Sequence, residues 1–182
     1  ETGVDTYKAC VARLAIDAGA SMVNDQWALK RDTEMTQVIV ESNVPVVLMH
    51  NQEGVTYDNL VKDVISDLQR DIDKAVRSGI CFDNLIVDPG IGFGKTPDHN
   101  LELIRRLDEL QVLGRPILVG TSRKSTIGYV LDLPVDQRIE GTAATVAFSI
   151  AAGVDIVRVH DVKEMVKVSR MSDAIARGWE KS

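Results

Sequence analysis

Short apolar runs, each closed by a polar residue, recur along this chain between stretches with helical spacing. That alternation constrains the fold more than any other feature. Leu85-Ile86-Val87 leads into Asp88-Pro-Gly-Ile-Gly-Phe-Gly-Lys95, Ile117-Leu118-Val119 into Gly120-Thr-Ser-Arg-Lys-Ser125, and Ile156-Val157 into Arg158-Val-His-Asp161. Runs rich in β-branched residues, with no polar side, read as parallel strands covered by helices on their faces. In α/β proteins the chemistry sits at the carboxyl ends of such strands.

The spacing of apolar residues predicts a helix over 7–18 closed by Gly19, a strand over 21–23 ending at Asn24 and Asp25, and a helix over 33–42 capped by Asp32. A strand over 46–49 ending at His50 and a long helix over 57–78 closed by Gly79 follow. The strand 85–87 precedes a helix from its cap Asp98 to about 110; the strand 117–119 precedes a loop and a helix over 137–152. A strand over 156–159 and a helix over 162–176 end the pattern, and Gly3-Val4-Asp5 is a short strand remnant at its start. Strict alternation implies parallel strands with right-handed crossovers. A doubly wound sheet satisfies it, but no GxGxxG loop is present, and the GxGxG spacing of Gly90-Ile-Gly-Phe-Gly94 is a weak dinucleotide signature. Polar residues at nearly every strand end fit a (β/α)8 TIM barrel. A full barrel takes about 250 residues; the 182 here correspond to roughly the last six βα units, read as one domain over 1–182 whose N-terminal portion is missing.

Composition excludes several classes. With 45% hydrophobic residues the chain can fill a core, yet no apolar run approaches the roughly 20 residues of a membrane span. A net charge of −6 with mixed signs argues against a nucleic-acid surface. Cys10 and Cys81 are isolated, and read as reduced and packed, which fits a cytoplasmic protein.

Arg158 and His160 lie at i and i+2 of a strand and therefore share a face. Buried against helices, two cationic groups would be costly, whereas at a barrel mouth they can clamp phosphate oxygens. Lys124 sits in a loop of small and hydroxyl residues that lets backbone approach a ligand. Ser122 and Ser125 are equally helix-cap candidates. Asp88 is either a turn aspartate or an acceptor for a donor-rich heterocycle edge. Phe93, alone among glycines, can stack on a flat substrate, and Asn24 and Asp5 occupy equivalent strand ends. Met49 is a soft wall for a flat ring or plain core. Nothing forms a nucleophilic triad or a protein-held metal cluster. The inventory is a polar heterocycle pocket plus a cationic phosphate site, which suits displacement of a diphosphate leaving group.

Val4-Asp-Thr-Tyr-Lys-Ala9, Val23-Asn24-Asp25, Val47-Leu-Met-His50, the 88–95 segment, Ser122-Arg-Lys-Ser125, Gly141-Thr142-Ala143 and Arg158-Val-His-Asp161 together resemble the dihydropteroate synthase family, in order and across nearly the whole chain. That family joins 6-hydroxymethyl-7,8-dihydropterin diphosphate to p-aminobenzoate, releasing pyrophosphate, in folate biosynthesis, and is the sulfonamide target. The resemblance implies a pterin pocket of Asp5, Asn24, Asp88 and Lys124, with Met49 as its wall. It places Arg158 and His160 on pyrophosphate, and Phe93, Ser122 and Lys124 on the aminobenzoate. Lys124, Arg158 and His160 would be the catalytic groups. It further implies Mg²⁺, whose family ligand lies in the missing part, and a homodimer through the last helices. The family's first strand with its Asn-x-Thr-x-Asp-Ser-Phe-Ser loop, and its second strand, are absent. The expectation is that the chain alone is unstable or inactive. A pterin-binding methyltransferase domain and a non-catalytic pterin-binding fragment are the competing readings.

Overall fold

The structure, a computed structural model, describes residues 2–179. β1 (Gly3–Asp5), β2 (Met22–Asp25), β3 (Val46–Met49) and β4 (Leu85–Asp88) form a parallel sheet in chain order. β5 (Leu118–Val119) and β6 (Ile156–Val157) pair in parallel, and a bridge between Val87 and Ile117 joins them to β4. The helices α1 (Ala9–Asp17), α2 (Met35–Ser42), α3 (Leu60–Arg77), α4 (Pro97–Arg105), α5 (Ser125–Leu131), α6 (Ile139–Ala151) and α7 (Val162–Arg177) fill the crossovers and the C-terminal end. The chain is an arc of six consecutive βα units of a (β/α)8 barrel.

Strand alternation sorts the buried residues into two sets. Val23, Val46, Leu48, Leu85, Val87 and Val119 join one continuous core with Val64, Leu68, Ile72, Leu103 and Leu107 of the outer layer. Val47, Met49 and Leu118 are as deeply buried but lie outside that core, on the inward side. Successive residues of a strand face opposite ways, so Asp5, Asn24, Asp88 and Arg158 share this inward side.

Several local expectations are corrected. α4 is capped by Thr96, not Asp98: its hydroxyl accepts from His99 N at 3.2 Å while His99 Nδ1 accepts from Thr96 N at 3.4 Å, with Pro97 at the first turn. α2 begins at Met35, two residues later than expected; Asp32 serves its entry, its Oδ1 accepting from Glu34 N at 3.1 Å, while its Oδ2 accepts from Ala9 N at 2.8 Å and ties down the start of α1. The long helix begins at Leu60, because the Asn59 side chain accepts from Lys62 N and closes its N-terminus. α5 replaces what reads as loop: Ser-Thr-Ile-Gly-Tyr-Val-Leu has poor helix formers, and buried Thr126 and Ile127 hold it in place. β6 ends at Val157, two residues early. Cys10 and Cys81 are free, as expected, but exposed rather than packed.

Candidate active site

The carboxyl ends of the strands bring most of the expected residues to one mouth. Register places Asp5 beside Asn24 and Met49 beside Asp88. Met49, only 1% exposed, forms inner wall next to the Asp88 carboxyl. Gly120, Ser122, Lys124, Arg158 and His160 line a cavity of about 360 Å³.

Asn24 is 5% exposed, yet neither its Oδ1 nor its Nδ2 has a partner. Buried side-chain amides are ordinarily satisfied. An amide left open on the inward face, beside Asp5, can both donate and accept a hydrogen bond there. Asp88 is 2% exposed and accepts from Gly90 N at 2.7 Å. Burial pushes its pKa up, and the Gly90 N–H and the charges of Lys124, Arg158 and Lys95 pull it back.

Lys124 stands at the start of α5, and its ammonium donates to the Ile91 carbonyl and lies 4.7 Å from the centre of the Phe93 ring. Burial lowers its pKa to about 8 against the pull of Asp88, and Arg158 lowers it further. Phe93 is half-buried, with its ring facing this ammonium. Ser122 does not cap a helix: its Oγ accepts from His160 N at 3.2 Å and lies 2.9 Å from His160 Nδ1. A hydroxyl that donates to Nδ1 puts the ring proton on Nε2, on the side away from Ser122. α5 has no side-chain cap at all, from Ser125 or elsewhere. Arg158 does not stand free for an anion. It donates to Asp5 Oδ2 at 2.6 Å, while Asp5 Oδ1 accepts from Gln26 Nε2 at 2.9 Å.

Several supporting residues carry no functional signal in the sequence. Lys95 donates to Gly90 O (3.1 Å) and Phe93 O (3.0 Å), with His50 Nδ1 at 2.9 Å. Tyr57 Oη donates to Gly94 O at 2.8 Å. Three carbonyls of the 90–94 loop, those of Gly90, Phe93 and Gly94, are therefore held by Lys95 and Tyr57. Burial and the Lys95 and Lys30 charges drop the His50 pKa to about 3, so its ring stays neutral and accepts from the ammonium. Burial likewise takes Lys95 down to about 7. Gly90 has φ +70°, and a Cβ there would sit 1.9 Å from His50 O. Arg138 holds the other loop, donating to Arg123 O at 3.0 Å and to Leu133 O at 3.0 Å, and Arg123 pairs with Asp161. The one sequence hint was that His50 closes a strand and Lys95 closes a glycine run.

Among the described residues, this part of the mouth builds no carboxylate cage that would hold Mg²⁺ without substrate oxygens. Asp5 is committed to Arg158 and Gln26, Asp88 is buried on Gly90 N, and among the described residues no three His, Cys, Asp or Glu side chains converge.

A buried polar pocket beside a group of cationic side chains, at the carboxyl ends of barrel strands, is the arrangement of a ligand-binding barrel domain. The family model described as pterin binding enzyme matches residues 2–160, and the chain belongs to that family. It is 50% identical over 175 residues to a dihydropteroate synthase of Clostridium beijerinckii, covering 96% of this chain and 65% of that protein. The dihydropteroate synthase of Clostridium difficile, solved in the presence of pteroic acid, superposes with a TM-score of 0.94 at 47% identity, covering 96% of this chain and 67% of that one. That of Yersinia pestis with a sulfonamide drug gives 0.94 at 36% identity, covering 97% and 67%. The chain spans 60 to 65% of the length of three curated dihydropteroate synthases that it matches.

Proposed function

We propose that this chain supplies the pterin, aminobenzoate and diphosphate contacts of a dihydropteroate synthase, a transferase of folate biosynthesis. The observation that carries the reading is the unpartnered Asn24 amide on the same inward face as buried Asp88, at the mouth that Lys124, Arg158 and His160 also line. Asn24 and Asp88 would take the donor-rich edge of the pterin ring, with Met49 as its wall and Asp5 at its rim. Arg158 and His160 would hold the oxygens of the diphosphate.

In the reaction the bond from the pterin methylene carbon to the diphosphate oxygen breaks, and pyrophosphate leaves with the electron pair. The arylamine nitrogen forms the new bond to that carbon and then sheds a proton. Charge spreads onto the leaving oxygens as the carbon–oxygen bond lengthens, which is where fixed cations help most. Lys124 supplies one such charge, and with Phe93 and Ser122 it would line the aminobenzoate site. A sulfonamide, which resembles that acid, would compete there, as its presence in the Yersinia pestis structure suggests for that relative.

The expected homodimer belongs to this reading; Phe148 on α6 and Met171 and Ile175 on α7 expose apolar surface that self-association would cover. A cytoplasmic setting suits the two free, exposed cysteines. No helix among the described residues is long and apolar enough to cross a membrane. A methyltransferase reading would leave Arg158 and His160 without an anion to hold.

The test is pyrophosphate release from pterin diphosphate and p-aminobenzoate by the wild-type chain and by Lys124→Ala and Arg158→Ala. Release that both substitutions abolish supports the synthase. Pterin binding with no release by the wild type would reduce the chain to a pterin-binding module.

A further inference from the structure

Two loops meet at the mouth, 90–94 after β4 and 120–125 after β5, and the sequence separates them by all of α4. One buried side chain touches both. Asn100, in the first turns of α4, is 1% exposed. Its Oδ1 accepts from Gly92 N at 2.8 Å, and its Nδ2 donates to Thr126 Oγ1 at 2.9 Å. Gly92 offers only an N–H, so the amide oxygen must face it and the amino group is thereby aimed at Thr126. Thr126 is 3% exposed and lies two residues past Lys124.

We propose that Asn100 is a positioning residue that couples these loops, so that Phe93 and Lys124 present to substrate as one unit. The geometry closes a circuit. Ile91 O accepts from Lys124 Nζ, Lys124 leads to Thr126, Thr126 accepts from Asn100, and Asn100 accepts from Gly92, the neighbour of Ile91. The lysine contact is the weak arm, because substrate can compete for an ammonium. The Asn100–Thr126 bond is buried and cannot be exchanged for solvent without leaving a buried group unpaired. α4 itself is anchored by the Thr96–His99 capping box and by Leu103 in the core. When substrate takes the Lys124 ammonium, the Asn100 bridge keeps the two loops in register. What the loops bind rests on the synthase reading; the coupling does not.

The experiment compares the wild-type chain with Thr126→Val, which removes one end of the bridge at nearly constant shape, Thr126→Ser, which restores the hydroxyl, and Asn100→Leu. Amide hydrogen exchange is followed by residue, and pteroic acid affinity by calorimetry. Thr126→Val is expected to speed exchange in both 90–94 and 122–125 and to weaken pteroic acid about tenfold, the scale of one buried hydrogen bond. Amides of α3 and β3 should keep their rates, and Thr126→Ser should recover most of both effects. Faster exchange confined to 122–126, no change in either loop, or an equal acceleration through the whole chain would each overturn the coupling. If the wild type binds no pteroic acid but Thr126→Val frees both loops, the synthase reading falls and the coupling stands. Thr126→Val decides the matter even if Asn100→Leu does not fold.

Discussion

The Arg158 guanidinium donates to Asp5 Oδ2 across 2.6 Å, joining residues 153 positions apart. The pair links the first strand of the arc to the end of the last, above an opening of about 740 Å³ between them. With side chains 41% and 39% exposed it contributes well under about 1 kcal/mol to the fold. Its consequence is functional on the proposed reading, where a diphosphate would compete with Asp5 for the guanidinium.

Asp5→Asn should therefore tighten inorganic pyrophosphate severalfold while moving the melting temperature little. Arg158→Ala should weaken pyrophosphate by tenfold or more, about 1.4 kcal/mol. Titration calorimetry on the two variants checks this. Equal affinities in wild type and Asp5→Asn would show that Asp5 does not restrain Arg158.

Lys124 has its pKa lowered from 10.5 to about 8, so its charge is present below pH 8 and lost above it. Affinity for pterin diphosphate should fall as pH rises through about 8, and Lys124→Arg should hold it level there. The linkage has a definite sign. Between about 8 and 10.5 the folded chain has released a proton that the unfolded chain keeps, so this lysine's contribution to stability rises with pH across that window. Affinity measured from pH 6 to pH 9.5, with denaturant unfolding at both ends, tests the two halves separately.

Asn24→Leu should separate stability from binding. The wild-type amide is buried with both polar atoms unpaired, so an apolar replacement of similar size costs nothing or adds up to about 1–2 kcal/mol. Pterin affinity should drop at least about tenfold. A thermal melt paired with pterin titration checks both; a large loss of stability would mean that Asn24 has a structural partner in solution.

Lys95→Met should destabilise by roughly 2–4 kcal/mol, because it strands the Gly90 and Phe93 carbonyls and the neutral His50 ring. Gly90→Ala should be at least as harmful, since its Cβ would meet the His50 carbonyl at 1.9 Å in a left-handed backbone. Urea unfolding midpoints provide the measurement.

Much of the site was legible. Asp88, Lys124, Arg158 and His160 close strands or open loops at points where the apolar period stops, and i, i+2 spacing already set Arg158 and His160 on one face. α5 was not legible, because Thr126, Gly128 and Tyr129 carry no local helical preference and only packing makes them a helix. The Thr96 cap was missed for a similar reason, since an aspartate one residue into the helix offered an equally good local signal. Nothing local in the sequence marks Lys95 or Asn100 as a bridging residue, because their partners His50 and Thr126 lie far along the chain.

By itself the sequence determined the alternation of strands and helices, hence the barrel arc, and which polar residues stand at strand ends. Those are local properties, written in the period of apolar residues. The tertiary structure alone decided that Arg158 is held by Asp5, that Lys95 clasps the 90–94 loop while also meeting His50, and that Asn100 bridges the two loops. Each of these depends on the direction of a side chain across elements far apart in the chain. Only the packing of the outer helices sets that direction, and no local period records it.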